Sequence, residues 1–207
     1  MSSGLEDLEY LLPPEITAAI LSGGESRRMG QPKDTIVLWD GRPMIDHVRL
    51  TLKQIGLRTL VVKAPPPPEA TQEPDSNIIY DTYPGLGPLA GIEAVLASGL
   101  GSGYLIAACD QPLLTPAILC TLLGGNLERA CFYLATDGKT IHPFPGYYPA
   151  GVLPAVRAVL KSQRRSVRKL ISLLEPAFLP LRAEDEYSIQ SLNTPDDIAL
   201  AARAYTT

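Results

Sequence analysis

Short apolar runs alternate along this chain with helix-like stretches, and that alternation restricts the fold more than any other feature. The segments fall at Ile16 to Leu21, Met44 to Ile55, Thr59 to Lys63, Ile78 to Tyr80, Leu89 to Ala97, Tyr104 to Cys109 and Pro116 to Leu123. Apolar runs of strand length separated by helices predict a parallel sheet, because each crossover has to pack a helix back onto the strands it joins. The punctuation agrees. Gly56 stands where a glycine ends the first helix, and Thr115-Pro116 places a hydroxyl cap and a first-turn proline before another. After Cys131 the alternation weakens. A strand to Thr136, a turn at Asp137-Gly138 and an extended piece near His142 predict antiparallel additions. Helices are expected over Ala150 to Lys161 and Val167 to Leu174. A last one opens at Thr194-Pro195-Asp196-Asp197, with Asn193 or Thr194 as its cap and both aspartates in its first turn. The fold class expected is α/β, a mostly parallel central sheet with helices on both faces and antiparallel additions in the C-terminal part.

Size and charge exclude several functions. A chain of 207 residues can bury a real core, and the expectation is a single domain over residues 16–207 behind a flexible tail at 1–15. Eighteen basic against 22 acidic residues give a net charge of −4, which argues against a broad nucleic-acid-binding surface and makes any anion site local. The tail carries Glu6, Asp7, Glu9 and Glu15 and lacks the basic start and apolar stretch of a secretory signal. No apolar run approaches the ~20 residues needed to cross a bilayer, so a cytoplasmic protein with no membrane partner is expected. Cys109, Cys120 and Cys131 lie far apart in apolar surroundings without zinc-site spacing, as buried thiols in a reducing compartment do. Pro65 to Pro68 cannot join a sheet ladder and reads as a surface connection.

Ser22-Gly23-Gly24-Glu25-Ser26-Arg27-Arg28-Met29-Gly30-Gln31-Pro32-Lys33 follows the first strand directly. Glycines at a strand end let backbone N–H groups approach an anion, and Arg27, Arg28 and Lys33 add full positive charge within a dozen residues. This is a loop suited to a polyphosphate. Neither Gly-x-x-x-x-Gly-Lys-Ser/Thr nor Gly-x-Gly-x-x-Gly can be laid on it.

Ligands of open parallel sheets bind at the carboxyl ends of the strands. Ser22-Gly23-Gly24, Asp81 and Asp110 all stand at such ends, so residues distant in sequence converge on one crevice. Asp110 closes the run Tyr104 to Cys109 and precedes Gln111-Pro112, which turns the chain outward. A carboxylate there suits Mg²⁺, which takes one or two protein oxygens and fills its other positions with water and phosphate; the competing role is a turn aspartate capping the next helix. Asp81 has the stronger alternative as a loop or capping carboxylate. Gly85-Leu86-Gly87-Pro88-Leu89-Ala90-Gly91 opens a helix and can face an anion or simply allow close helix–sheet packing.

From Leu21 to Lys33 the chain strongly resembles the signature of nucleotidyltransferases that act on the molybdenum cofactor. Gly87-Pro88-Leu89-Ala90-Gly91, Cys109-Asp110-Gln111-Pro112, His142-Pro143 and Asn193-Thr194-Pro195-Asp196 follow in the order seen in molybdenum cofactor guanylyltransferases. The resemblance implies a Rossmann-like nucleotidyltransferase fold and the reaction of GTP with molybdopterin, or Mo-molybdopterin, to the guanine dinucleotide cofactor and pyrophosphate. It carries GTP contacts onto Leu21, Ser22, Gly23, Lys33, Asp81 and Asp110, and Mg²⁺ onto Asp110. The loop before Gly87 and the region of His142 and Arg164-Arg165 are placed toward the pterin, and transient contacts with cofactor-delivering and cofactor-accepting proteins are implied. One position departs. The family often shows an asparagine near the end of the strand that here reads Leu60-Val61-Val62-Lys63-Ala64, so the resemblance carries no base or ribose contact onto Lys63.

Nucleotidyl transfer needs no side-chain nucleophile, because a phosphate monoester is already ionised near neutral pH and catalysis reduces to alignment and charge neutralisation. Lys33 and Arg28 are the catalytic candidates, drawing charge toward the departing pyrophosphate. A cytidylyltransferase for the same pterin and a sugar-phosphate nucleotidylyltransferase are the neighbouring enzyme readings. A nucleotide-binding regulator or adaptor that has lost turnover is the alternative of another class.

Overall fold

A computed structural model describes residues 16–22, 31–66, 69, 75–124, 127, 132–136 and 140–205. The expected tail at 1–15, the glycine-loop residues Gly23, Arg27 and Arg28, and Cys131 lie outside the described residues. In chain order the elements are β1 (Ile16–Leu21), α1 (Met44–Gln54), β2 (Thr59–Lys63), β3 (Ile78–Tyr80), α2 (Pro88–Ala97), β4 (Gly103–Ala108), α3 (Pro116–Leu123), β5 (Phe132–Thr136) and β6 (Thr140–Pro149). They continue with α4 (Leu153–Lys161), α5 (Val167–Leu174), β7 (Ala177–Pro180) and α6 (Pro195–Tyr205). The strands form one seven-stranded sheet in the order β3-β2-β1-β4-β6-β5-β7. β6 alone runs antiparallel to its neighbours β4 and β5, while every other pairing is parallel.

β1 and β4 sit at the centre, and every residue of β1 is buried. Their alternate side chains feed two cores. Ile16, Ala18 and Ile20 of β1, with Leu105 and Ala107 of β4, pack under α1 and α3. Ala19 and Leu21, with Tyr104 and Ile106, pack under α2, α4 and α5. Helices therefore cover both faces, as the alternation requires. A third, smaller cluster joins Ile36, Leu38 and Met44 to Leu192 and Ala201, which seats the end of the chain against the segment after Pro32.

Local signals account for most boundaries. Gly56 has φ 74°, the left-handed conformation that ends α1. Thr115 Oγ1 accepts from Ile118 N at 3.5 Å ahead of Pro116, and Ser166 Oγ accepts from Lys169 N at 3.2 Å at the start of α5. Thr194 rather than Asn193 caps α6: its Oγ1 accepts from Asp197 N at 3.2 Å, and Asp197 Oδ2 accepts from both Asn193 N and Thr194 N at 2.8 Å. This reciprocal capping box satisfies amides at the helix start and holds the Asp197 carboxyl below its usual range, chiefly through the Asn193 amide.

The antiparallel addition has an irregularity that shapes the site. Against β5, the register of β6 jumps from Tyr133↔Gly146 to Leu134↔His142, so residues 143–145 leave the ladder. Pro143 and Pro145 have no N–H to lose there. The bulged carbonyls are satisfied from outside the ladder. Tyr148 Oη donates to Pro143 O at 3.0 Å, and the buried Gln111 amide donates from Nε2 to Phe144 O at 2.8 Å. A Cβ on Gly146 would approach Pro143 O to 2.6 Å, so this bend requires glycine. The structure differs from the sequence-based expectation in a boundary and in an element: the helix expected from Ala150 begins with a 3-10 turn at Ala150–Val152, and the unexpected edge strand β7 adds to the sheet by pairing with β5.

Candidate active site

The C-terminal ends of β1 and β4 lie side by side, with Leu21 opposite Ala108, and Cys109 N donates to Leu21 O at 3.1 Å. This register brings Ser22 and Asp110 onto one edge of the sheet. Lys33 enters from the 3-10 turn Lys33–Thr35, which Ile36 and the rest of the third cluster pin to the body of the protein. Its Nζ donates to Asp110 Oδ2 at 2.6 Å and to Asn193 Oδ1 at 2.6 Å. Leu192 N donates to Asp110 O at 2.8 Å, so the segment carrying Asn193 is tied to the end of β4 as well.

Lys33 and Asp110 line a cleft of about 270 Å³ together with Leu21, Ser22, Pro32, Asp34, Pro88 and Phe144. Of the buried polar side-chain atoms without a hydrogen-bond partner among the described residues, two belong to this cleft: Ser22 Oγ and Asp110 Oδ1. Buried polar groups are ordinarily satisfied, so both atoms have hydrogen-bonding capacity left for a ligand in this cleft. Asp110 is not the cap of α3, a role that Thr115 fills. Pro88 reaches the cleft because α2 lies close on the sheet: a Cβ on Gly91 would come within 2.9 Å of Leu21 Cδ2 and 3.7 Å of Val62 Cγ1. Gly87, with φ 72°, makes the turn into that helix. Cys109 is buried beside Asp110 and Asp34, and its thiol is pushed up to about 12, first by burial and then by those two carboxylates. It is not a nucleophile.

Asp81 stands at the same edge of the sheet, held by Asp81 N donating to Lys63 O at 2.9 Å. Its Oδ1 accepts from Tyr83 N at 2.7 Å in a local turn, and it is not among the residues lining the cleft. Burial raises its carboxyl above the usual value; the Tyr83 amide opposes this and the Glu93 charge adds to it.

A second cleft of about 340 Å³ adjoins the first and shares Ala108, Phe144 and Ser191 with it. Gln111, His142, Glu186 and Gln190 contribute to its wall. His142 thus faces a cavity continuous with the Lys33 site. Arg164 and Arg165 line neither cleft; Arg165 Nε donates to Ser162 O at 3.1 Å in the turn between α4 and α5.

The sequence signalled the motif containing Asn193 but not its contact with Lys33, and it named Gln111 without a role. Gln111 is 3% exposed. Besides Phe144 O, its Nε2 donates to Ile189 O at 2.7 Å, which fastens the wall of both clefts to the end of β4. The mark it left in the sequence was a polar side chain between an apolar strand and a proline.

The donor set fits Mg²⁺ rather than a fully protein-coordinated ion. Among the described residues no group of three or more His, Cys, Asp or Glu is placed to hold a metal. One carboxylate with a free, buried oxygen is what a magnesium ion delivered with phosphates and water needs.

A cleft at the switch between β1 and β4, with an ammonium facing a carboxylate, lies where an open, Rossmann-like sheet binds its ligands, and the comparisons make the chain a nucleotidyltransferase. The MobA-like NTP transferase domain matches residues 18–177, and the chain belongs to that family. It is 34% identical over 190 residues to the "Probable molybdenum cofactor guanylyltransferase" of Deinococcus radiodurans, covering 89% of this chain and 92% of the relative. It is 30% identical to the molybdenum cofactor guanylyltransferase of Xanthomonas euvesicatoria, covering 87% and 90%. Among solved structures, the molybdopterin-guanine dinucleotide biosynthesis protein A of Archaeoglobus fulgidus superposes with a TM-score of 0.73 at 23% identity, over 92% of this chain and 98% of the other. The 2-C-methyl-D-erythritol 4-phosphate cytidylyltransferase of Thermus thermophilus shares the fold with a TM-score of 0.63 at 15% identity, over 93% and 100%.

Proposed function

We propose that this protein transfers GMP from GTP to the terminal phosphate of molybdopterin, free or carrying molybdenum, and releases pyrophosphate. The observation that carries the reading is the Lys33–Asp110 contact across the ends of β1 and β4, in a chain whose relatives are named for this reaction. An oxygen of the acceptor phosphate attacks the α-phosphorus of GTP, the bond from that phosphorus to the β-bridging oxygen breaks, and its electron pair leaves on pyrophosphate. Asp110, through its free Oδ1, is the residue to hold Mg²⁺, which when bound neutralises phosphate charge. Lys33 donates to the β- and γ-phosphate oxygens as negative charge accumulates there, with Arg28 as the second cation. Leu21, Ser22 and Gly23 are the residues that contact the phosphates in this reading, and Asp81 stands toward the nucleoside end of the same edge. The pterin takes the adjoining cleft with His142 on its wall, which sets the acceptor phosphate near the shared residues Ala108, Phe144 and Ser191.

The expected setting is the cytoplasm, with transient contacts to the proteins that deliver and accept the cofactor. Among the described residues, no helix is long and apolar enough to cross a membrane.

Pyrophosphate release, measured with GTP and with CTP and in each case with and without molybdopterin, tests the reading. Release that requires both GTP and the pterin supports it. Release with CTP alone of the two nucleotides establishes the cytidylyl reading that Lys63 leaves open, and tight GTP binding without release in the presence of authentic pterin establishes a regulator.

A further inference from the structure

The two adjoining clefts differ in charge. The described lining of the first carries the ammonium of Lys33, whereas that of the second has Glu186 and His142 as its titratable side chains and neither lysine nor arginine. Pro143, Phe144 and Ile189 give the second cleft apolar walls. Gln111 Nε2 spends both of its N–H groups on Phe144 O and Ile189 O, so it fastens these walls together and has no donor left for a ligand.

Glu186 is placed on the wall by its own segment. Ala183–Ile189 is a 3-10 helix, in which residues three apart share a face, so Glu186 lies on the same side as the buried Ile189 and both line the cleft. The segment is fixed at its start by Arg182 Nε donating to Asp185 Oδ2 at 2.6 Å, and at its end by the bond from Gln111 to Ile189 O. The neighbouring acids are paired: Asp185 in that bond, and Glu184 with Arg182 at 2.9 Å. The Glu186 carboxylate, by contrast, makes no hydrogen bond or ion pair with another described residue.

We propose that Glu186 determines which acceptor is admitted: its carboxylate receives the adjacent ring N3–H and 2-amino donors of the pterin, whose flat faces lie against the apolar walls. The inference rests on the reading of the acceptor as molybdopterin, and goes further in naming the ring edge that is recognised and the direction in which the molecule lies. A pterin is uncharged near neutral pH, so it needs no cation in this cleft. Two adjacent N–H donors match the two oxygens of one carboxylate, as the fork of a guanidinium does. The phosphate at the other end of the acceptor is repelled by Glu186 and attracted by Lys33, so it points across the shared residues Ala108 and Phe144 into the first cleft. A sugar phosphate has no flat ring face to set against Phe144.

The test is a titration of the full-length protein with 6-hydroxymethylpterin and with 6-hydroxymethyllumazine near neutral pH, read by quenching of the ligand's own fluorescence. The two ligands share their shape, and the lumazine has a carbonyl oxygen where the pterin has its 2-amino group. The wild type should bind the pterin roughly tenfold or more tightly, because the lumazine sets an acceptor against the carboxylate. Glu186→Gln, whose carboxamide donates as well as accepts, should abolish the preference. Glu186→Ala should weaken the pterin by about the same factor and leave the lumazine little changed. Thermal melting checks that both variants are folded. Equal binding of the two ligands by the wild type, no pterin binding up to its solubility limit, or a preference that survives in Glu186→Gln each overturns the proposal. So does an unchanged KM for molybdopterin in Glu186→Gln during turnover, where a rise is expected with the KM for GTP unmoved. Neither GTP nor turnover enters the titration, so a protein that shows the preference but releases no pyrophosphate counts against the transferase reading alone.

Discussion

Asn193 Oδ1 accepts a hydrogen bond from Lys33 Nζ at 2.6 Å, across 160 positions of sequence. The last loop of the chain thus positions a residue of the first one. Asn193→Ala should leave melting little changed and lower the maximal rate of pyrophosphate release by roughly 10-fold, because one of two fixed acceptors aiming the ammonium is lost. A separate determination of kcat and KM checks this: the larger change is expected in kcat.

Lys33→Ala should reduce turnover by ~10²–10³, the usual effect of deleting one preorganised donor to a developing oxyanion. Asp110→Asn should do so too, with a raised requirement for Mg²⁺. Initial rates across a magnesium series distinguish the two, since the Asp110 variant needs more metal and the Lys33 variant does not.

Thr194→Ala removes the Oγ1 that accepts from Asp197 N at the start of α6. A cap of this kind contributes ~1 kcal/mol, and urea unfolding should show a loss of that size. Because the capping box also holds the backbone of Asn193, activity should fall in addition to stability, whereas Ser at this position should restore both.

Gln111→Leu leaves Phe144 O and Ile189 O without their donor. Orphaning two such carbonyls should cost at least about 2 kcal/mol and loosen the shared wall of the clefts. Denaturant unfolding measures the first effect, and a raised KM for the acceptor with little change for the nucleotide reports the second.

Cys109 supplies a pH prediction. Its thiol ionises near 9 when unconstrained and at about 12 in the folded protein, owing to burial first and the neighbouring carboxylates second. The folded-state value lies above the unfolded one, so this group's contribution to stability is intact below about pH 9 and is lost as the pH rises from there toward 12. Cys109→Ala should flatten the decline in melting temperature over that interval. Native protein at pH 8 should also resist iodoacetamide at Cys109, as shown by peptide mass mapping.

Periodicity and caps made most of the frame legible in advance. The all-buried run of β1, the bounds of α5 and the glycine after α1 depend on neighbours within a few residues, and local chemistry decides them. β7 was not legible: Ala177–Pro180 is a four-residue edge strand entered from Pro176 and ending on a proline, and only its pairing with β5 makes it a strand. The site divides in the same way. Asp110 could be placed at a strand end from the order of elements, and Lys33 in the loop that follows β1. The Lys33–Asn193 contact and the grip of Gln111 on Phe144 arise from packing between segments far apart in sequence, where no periodic signal exists.

The single reversed strand has a consequence for how this architecture diversifies. β6 pairs with β4 only from Ile106↔Gly146 to Gly103↔Pro149, so its first residues, Thr140 to Pro145, overhang the edge that carries the Lys33–Asp110 cleft. That overhang works as an adjustable fence. Lengthening, bending or re-facing it alters which acceptor molecule can be admitted, while the lysine and aspartate beneath are left undisturbed, so a common chemistry can be matched to new partners by editing one ribbon of chain.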